Sequence, residues 1–255
     1  MKQKKEKYIT TLKQHKGTRA TQQDTAGYKA YQDGANVAHI FIVADGVGSV
    51  DRGANSSAFV VQSLLLWFEK KKDKLFITEA KEIVKELKEE INGVDDLLKK
   101  RSREDGLSYG TALTLVLVVN SKCIVLQVGD GRAYMYSQAS GLTQLEKDQT
   151  KYQLMLDSGI PVPKEKEKEY KATITQCIGN KMQPKPKETI RVLPAEYSLL
   201  ICTDGFYQKI NKEDINNIFR SKLSDEEILL KTIDHILKEG ESDNITALLH
   251  RKEFF

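Results

Sequence analysis

Apolar residues are grouped along this chain in two ways, and the two groupings predict different secondary structure. Short runs rich in Val, Ile, Leu and aromatic residues predict strands, and longer amphipathic stretches predict helices. The predicted strands cover residues 37–46, 111–120, 121–131, 132–137, 188–193, 197–205 and 243–250. The predicted helices cover residues 53–69, 79–100, 211–220 and 224–238, with a short helix near Gln153–Ser158.

The order of these elements indicates the fold class. The helices come in groups between blocks of strands, which favours an α+β sandwich over a doubly wound parallel sheet. The stretch PKEKEKEYK, residues 163–171, alternates in charge and is predicted to be an exposed loop or strand edge. The next stretch, KATITQCIG, is predicted to be a short strand or a turn. No repeat or low-complexity linker interrupts the chain, so residues 1–255 are predicted to form one domain.

Composition and charge exclude several classes of function. The chain has 255 residues, with 40 basic and 36 acidic side chains, and the small excess of +4 does not indicate nucleic-acid binding. The first sixteen residues are rich in Lys, which predicts a solvated, partly frayed terminus rather than a docking arm for an acidic partner. No apolar leader is present, and the longest apolar stretch, Thr111 to Val119, is too short to span a membrane.

The cysteines indicate a reducing compartment. Cys123, Cys177 and Cys202 are far apart, odd in number and surrounded by apolar or β-forming residues. They are therefore predicted to be buried free thiols, and the expected location is the cytoplasm.

Three apolar runs end in the dipeptide Asp-Gly, at Asp45, Asp130 and Asp204. Asp-Gly is also a strong hairpin signal, and this explanation suits Asp130 because a strand is predicted directly after it. It suits Asp45 and Asp204 less well, because helices follow them. Asp24 and Asp243 complete a set of carboxylates that would repel one another by about 4 kcal/mol per close pair, unless divalent cations neutralise them. Oxygen-only ligands suit Mg²⁺ or Mn²⁺.

Seven short motifs occur in an order and spacing that resemble the metal-dependent protein phosphatases (the PPM or type 2C family), in a bacterial-type member. The motifs, which cover nearly the whole chain, are TRATQQD, VADGVGS, GTALTLVLV, VGDGRAYMY, ITQCIG, LLICTDGFYQ and SDNITALL. The resemblance implies a four-layer α-β-β-α sandwich around two antiparallel sheets. It also implies hydrolysis of phosphoserine and phosphothreonine monoesters in proteins by a metal-activated water.

The same resemblance assigns roles to individual residues of this sequence. Asp45 matches the carboxylate that bridges two ions, and the carbonyl of Gly46 matches a backbone ligand. Asp204 and Asp243 match ligands of the second ion, and Asp24 matches the acidic residue of the first motif. Three further residues have other implied roles. Asp130 matches a ligand of a weaker third ion, and Arg19 matches the phosphate-binding arginine. Asn244 is expected to orient a metal-bound water, or to hold Asp243 in place without being a ligand itself.

Departures from the family pattern leave a second interpretation open. Val47 stands where many members carry a histidine, Gln23 and Gln208 stand where others carry acidic residues, and Gly131 replaces a serine. A catalytically degenerate member that binds phosphoproteins or regulates them is therefore the alternative.

A nucleotide-binding loop at DGVGSVDRG is a third interpretation. It is disfavoured because Asp45 and Asp51 would repel phosphate unless a metal intervened.

The remaining expectations concern the surroundings of the enzyme. Residues 142–179 match the variable flap of the family. The expected partners are phosphorylated proteins and a bacterial Ser/Thr kinase with its targets. We expect neither nucleic acid nor membrane as a partner, and we expect the chain to be a monomer.

Overall fold

The computed structural model of the protein describes residues 6–47 and 50–254, and within them ten strands and seven α-helices. The strands are β1 (Glu6–His15), β2 (Asp24–Asp33), β3 (Asn36–Val47), β4 (Gly110–Val119), β5 (Lys122–Val128), β6 (Arg132–Ser137), β7 (Gly141–Gln144), β8 (Lys187–Val192), β9 (Tyr197–Cys202) and β10 (Ile245–Phe254). The helices are α1 (Val50–Lys71), α2 (Ala80–Asp105), α3 (Lys151–Asp157), α4 (Glu167–Ala172), α5 (Asp204–Tyr207), α6 (Lys212–Arg220) and α7 (Asp225–Lys238).

The strands form two antiparallel sheets of five strands each. We call the sheet with the order β1-β10-β9-β6-β7 sheet I, and the sheet with the order β2-β3-β4-β5-β8 sheet II. Alternate side chains of both sheets meet in one apolar layer, which includes Phe41 and Val116 from sheet II and Leu199, Ile201 and Leu248 from sheet I. The sheets therefore pack face to face, as successive side chains of a strand point to opposite faces.

Helices cover the outer faces of both sheets. Residues of α1 and α2, including Leu64 and Leu87, pack on sheet II, and residues of α6 and α7, including Ile218 and Ile233, pack on sheet I. The predicted apolar stripe of α2 is buried, at Ile83, Leu87, Ile91 and Val94. The predicted α+β class and the α-β-β-α order of layers are therefore confirmed. In the described part of the chain, no helix is long and apolar enough to cross a membrane.

The amino-terminal segment differs from its prediction. From Glu6 onward it is not frayed but forms β1, which pairs along its whole length with β10, from Glu6↔Phe254 to His15↔Ile245. The flanking lysines concealed a run of β-forming residues, in which Tyr8 and Leu12 lie on the same face of the strand. Lys2, Lys4 and Lys5 lie outside the described residues.

The charged stretch 163–171 was also wrongly predicted. It forms a 3-10 helix, Lys164–Lys166, that continues directly into α4. Lys, Glu and Ala are strong helix formers, and ion pairs one turn apart join Lys166 to Glu169 and Lys171 to Glu167. Alternating charge was therefore the mark of a solvated helix.

Asp130 does not lie in a hairpin. β5 belongs to sheet II and β6 to sheet I, so residues 129–131 carry the chain from one sheet to the other. Gly129 adopts a φ of 98° in this crossover, a left-handed conformation that favours glycine. The hairpin explanation that weakened the functional prediction for Asp130 is therefore wrong.

The three cysteines are buried and free, as predicted.

Candidate metal centre

Five aspartates lie at one end of the sandwich, where strands of both sheets begin or end. Asp24 opens β2 and is the register partner of Asp45, near the end of β3. Asp204 begins α5, with Thr203 between it and the end of β9, and Asp243 lies just before β10. Asp130 lies in the crossover between the sheets. The position of Asp24 in a strand fixes it directly across from Asp45.

Asp24 is the most enclosed of these side chains, with 4% of its surface exposed. Its Oδ2 accepts hydrogen bonds from the hydroxyls of Thr246 at 2.7 Å and Thr203 at 3.0 Å. Its Oδ1 is buried and has no hydrogen-bond partner among the described residues. A buried carboxylate oxygen without a partner is costly, and it leaves a ligand position unused.

Asp45 and Asp204 are partly buried. The hydrogen bonds of Asp204 come from its own helix. The Gly205 N–H donates to its Oδ1 at 2.8 Å, and the amide of Gln208 donates to its Oδ2 at 2.6 Å.

The cluster shifts the acidity of its own members. Burial is the largest cause and raises the pKa of Asp24 to about 7, with smaller contributions from the charges of Asp204 and Asp243. Burial, followed by repulsion from Asp24 and Asp204, raises the pKa of Asp45 well above its ordinary value. Burial and the neighbouring Asp243 also raise the pKa of Asp204. A raised pKa favours the protonated carboxyl, and a bound divalent cation would oppose this shift by stabilising the carboxylate.

Two glycines allow the backbone to come close enough for this arrangement. A Cβ on Gly205 would lie 2.1 Å from the carbonyl oxygen of Asn244, so the start of α5 could not approach the start of β10. A Cβ on Gly46 would lie 2.3 Å from the carbonyl oxygen of Gly53 at the first turns of α1. A glycine is therefore required after both Asp45 and Asp204 for a steric reason, independent of any turn.

Arg19 and Asn244 occupy the rim of the cluster. Arg19 is exposed, and its Nη2 donates to Oδ2 of Asp243 at 2.7 Å. The Asn244 side chain accepts from the Gln23 N–H at 2.7 Å and donates to the carbonyls of Lys16 at 2.8 Å and Thr21 at 3.0 Å. Only its backbone N–H reaches Asp243, at 2.8 Å. Asn244 therefore holds the segment that carries Arg19 and Asp24, a clamp that the sequence did not indicate.

Asp130 is buried beside a group of aromatic and charged residues. Its carbonyl accepts a hydrogen bond from the Tyr207 hydroxyl at 2.9 Å. The guanidinium of Arg132 lies over the Tyr207 ring, 3.6 Å from its centroid, and forms a two-pronged ion pair with Asp148. Burial and the charge of Asp204 raise the pKa of Asp130. Asp130 thus belongs to the electrostatic cluster of Asp204.

Gly131 replaces a serine of the family pattern, and the structure explains the smaller residue. A Cβ at this position would lie 2.5 Å from the hydroxyl oxygen of Thr114.

The ligand set is not preformed. Over residues 6–47 and 50–254, no three Asp, Glu, His or Cys side chains are arranged so that they could hold an ion as they stand. Two of the expected ligands have other partners, since Arg19 donates to Asp243 and Gln208 donates to Asp204. Gly48 and Ser49 of the VADGVGS motif lie outside the described residues. Both also belong to DGVGSVDRG, the loop that the nucleotide-binding interpretation concerns.

Sequence reasoning also missed residues that shape the cluster. Thr203 and Thr246 look like ordinary strand residues in the sequence, and only the register shows that both face Asp24. Gln208 was noted as a departure from the family pattern, and its spacing of four from Asp204 on a helix could have predicted their contact.

Comparison with known proteins agrees with this architecture. A sequence model of the family described as Protein phosphatase 2C matches residues 13–244. The Serine/threonine phosphatase stp of Listeria welshimeri is 30% identical over 217 residues, which are 82% of this chain and 83% of the relative.

Solved structures share the fold. The serine/threonine phosphatase of S. agalactiae superposes with a TM-score of 0.81 at 22% identity, over 96% of this chain and 99% of that one. The catalytic domain of the phosphatase PstP, described as a complex with 2 manganese ions, gives a TM-score of 0.77 at 21% identity, over 97% and 98% of the chains.

The fold and the acidic cluster define a class of protein, the metal-dependent phosphatases built on a β-sandwich of two sheets. This chain belongs to the protein phosphatase 2C family and is a protein serine/threonine phosphatase of the bacterial type.

Proposed function

We propose that this chain hydrolyses phosphoserine and phosphothreonine monoesters at a centre of two Mg²⁺ or Mn²⁺ ions. The observation that carries the proposal is the meeting of Asp24, Asp45, Asp204 and Asp243 at one end of the sandwich, in a member of the protein phosphatase 2C family. These residues come from both sheets, so only the complete fold brings them together. Packing alone gives no reason to collect mutually repelling acids.

The donor set fits hard divalent cations. All the donors are oxygens, and Asp24 offers a buried Oδ1 without a partner among the described residues. Asp45 and the Gly46 carbonyl would help to hold the ions, and Asp204 and Asp243 would be ligands of one of them. Asp24 would contact the ions directly or through water, and Asp130 would hold a weaker third ion together with Asp204. When bound, such ions neutralise phosphoryl charge and activate a water molecule for attack on phosphorus.

Arg19 is proposed to bind the phosphoryl group of the substrate. Its planar guanidinium can donate to two phosphoryl oxygens, and its present partner, Asp243, is only partly buried. The exchange of one anionic partner for another costs little at such an exposed site. Asn244 positions Arg19 by holding the carbonyls of Lys16 and Thr21.

Val47 cannot donate a proton to the leaving group. Val47 is the last residue of β3 and is 39% exposed, so solvent reaches this position. Water is therefore the proposed source of the proton that the leaving alkoxide takes up. We therefore expect phosphate esters with poor leaving groups to be hydrolysed more slowly than p-nitrophenyl phosphate.

The proposed setting is bacterial signalling in the cytoplasm. The substrates would be phosphoproteins, together with a Ser/Thr kinase that phosphorylates them. We propose a single catalytic domain over residues 1–255 that acts as a monomer, with residues 142–179 as its flap.

The test is hydrolysis of p-nitrophenyl phosphate by the purified chain with Mn²⁺, with Mn²⁺ plus excess chelator, and by the variant Asp204→Asn. Activity should require the metal and should fall by at least a hundredfold in the variant, because a ligand is lost. The matched control is Asp234→Asn, which removes an exposed carboxylate from α7 and should be fully active. Equal rates in all four samples would refute the proposal.

A degenerate phosphoprotein-binding member is the second candidate, and the contact of Gln208 with Asp204 favours it. That hydrogen bond occupies an oxygen which the metal requires. If Gln208 prevents metal binding, titration calorimetry with Mn²⁺ should show no heat for the wild type and a measurable affinity for Gln208→Ala. Binding of Mn²⁺ to the wild type excludes this candidate.

A further inference from the structure

A groove of about 630 Å³ lies between α4 and the end of α5. One wall consists of the helical stretch from Lys164 to Ala172, and the other consists of Tyr207, Gln208 and Lys209. Arg132 and Asp148 lie at its base. The lining has five basic side chains and two acidic ones.

The helical stretch presents three lysines to this groove. Lys164, Lys168 and Lys171 are spaced by four and three residues, so they share one helix face. Glu165 and Glu169 are not among the lining residues. Folding of the charged stretch into a helix thus separates its charges, because the lysines face the groove.

Most of the acidic charge in the groove is already neutralised. Asp148 is paired with Arg132, and Glu167 is paired with Lys171. Within the described chain, Lys164, Lys168 and Lys209 have no carboxylate within ion-pair distance, although all three are exposed. The groove therefore has an uncompensated positive charge supplied by three lysines, two on one wall and one on the other.

The groove is continuous with the acidic cluster. Gln208 lines the groove, and the same side chain donates to Asp204 Oδ2 at 2.6 Å. Tyr207, the neighbouring lining residue, donates to the carbonyl of Asp130 at 2.9 Å. A polypeptide whose phosphoresidue lies at the acidic cluster would therefore pass beside Gln208 into the groove.

We infer that this groove binds acidic residues that flank the phosphoserine or phosphothreonine of the substrate. The inference rests on the proposed function, and it names the substrate class as phosphoproteins with Asp- and Glu-rich sequence next to the scissile phosphate. Charge complementarity is the reason, because Lys164, Lys168 and Lys209 offer ammonium groups that carboxylates of an extended chain can reach. A basic flanking sequence would be repelled by the same groups.

The test compares three phosphothreonine peptides of equal length, whose flanking residues on both sides are acidic, neutral or basic. For the wild type, kcat/KM should be about tenfold higher for the acidic than for the basic peptide, because three partly exposed ion pairs each contribute a few-fold. This preference should shrink as salt is raised, because the charges are screened. The triple variant K164Q/K168Q/K209Q should lose the preference, and K164E/K168E/K209E should reverse it.

Controls separate this inference from the proposed function. K74Q/K81Q/K238Q removes three exposed lysines elsewhere and should keep the preference. Hydrolysis of p-nitrophenyl phosphate should be the same in the wild type and both groove variants. If no peptide is hydrolysed, the proposed function fails. Fluorescence anisotropy of labelled peptides with the variant Asp204→Asn then still measures the binding preference, so the inference on the groove is tested separately.

Three results would overturn the inference. One is equal kcat/KM for the acidic and basic peptides in the wild type. Another is loss of the preference in the control triple variant as well. The third is a groove variant that keeps the peptide preference but no longer binds vesicles rich in phosphatidylglycerol. That result would assign the lysines to binding a lipid surface.

Discussion

Two histidines between the sheets should make the fold sensitive to acid. His39 of β3 and His250 of β10 are 6% and 0% exposed, and their ring centroids are 5.0 Å apart. The Nε2 atoms of both rings are buried and have no hydrogen-bond partner among the described residues. Burial, together with the charge of Lys252, lowers the pKa of His39 from 6.5 to about 4. Burial, together with His39, lowers the pKa of His250 to about 3.

The sign of the effect follows from the direction of these shifts. Both imidazoles are neutral in either state above pH 6.5, so they add no pH dependence there. Below pH 6.5 the unfolded chain binds protons that the folded chain does not, and stability falls until pH reaches the folded pKa, about 4 for His39 and about 3 for His250. Between pH 7.5 and pH 5.0 each histidine should cost about 2 kcal/mol of unfolding free energy.

The two tyrosines beside the rings do not titrate in this range. Burial raises the pKa of Tyr197 far above neutrality, and the pKa of Tyr8 is raised by burial and by its hydrogen bond to Glu6. The aspartate cluster at the other end of the sandwich acts in the opposite direction, because its raised pKa values stabilise the metal-free fold as pH falls. Comparison of variants at the same two pH values removes that contribution.

The assay is urea unfolding at pH 7.5 and pH 5.0 with chelator present. His39→Gln should reduce the loss of unfolding free energy between the two pH values by about 2 kcal/mol relative to the wild type. His235→Gln, at an exposed position of α7, should leave the loss unchanged. The reasoning is refuted if the wild type and His39→Gln lose the same amount.

Three further predictions concern the acidic cluster. Asn244→Ala should cost about 1–3 kcal/mol by urea unfolding, because the Gln23 N–H and two carbonyls lose their partner at a partly buried site, whereas Asn217→Ala should cost almost nothing. Gly205→Ala should destabilise the fold by about 1–3 kcal/mol or more because of the contact with Asn244. Gly93→Ala, in open space on α2, should stabilise it by about 1 kcal/mol. Similar effects at both glycines would contradict the packing argument. Mn²⁺ at about 100 times its Kd should raise Tm by about 5–10 °C, as measured by calorimetry. Asp204→Asn should abolish that rise and should stabilise the metal-free protein. A metal-free variant less stable than the wild type would refute the repulsion argument.

Some of this site could be predicted from the sequence because its signals are local. Asp45 and Asp204 each follow an apolar run directly and precede a helix, so the sequence places them at strand ends. Asp130 has the same local signal, but nothing local distinguishes a hairpin from a crossover between sheets. That distinction depends on which strand β6 pairs with, and its partner β9 lies more than fifty residues away in sequence.

Other features could not be predicted because charge concealed them. The strand β1 lies among lysines, and its pairing with β10 spans nearly the whole chain. Thr203 and Thr246 show their role only when Asp24 is placed between β9 and β10, and no periodicity in the sequence indicates that meeting.

The pairing of β1 with β10 also has a consequence for the order in which the protein can form during synthesis. Strands β2 to β5 follow one another as antiparallel neighbours of sheet II, so they can pair as soon as residue 128 has left the ribosome. The strand β1 is synthesised first but must wait for β10, which fills the gap between β1 and β9. Until then both strands have an open edge, which is the kind of surface that chaperones cover and that aggregation uses. Asp243 directly precedes β10 in the chain, so the nascent chain cannot complete its acidic cluster before this strand is synthesised.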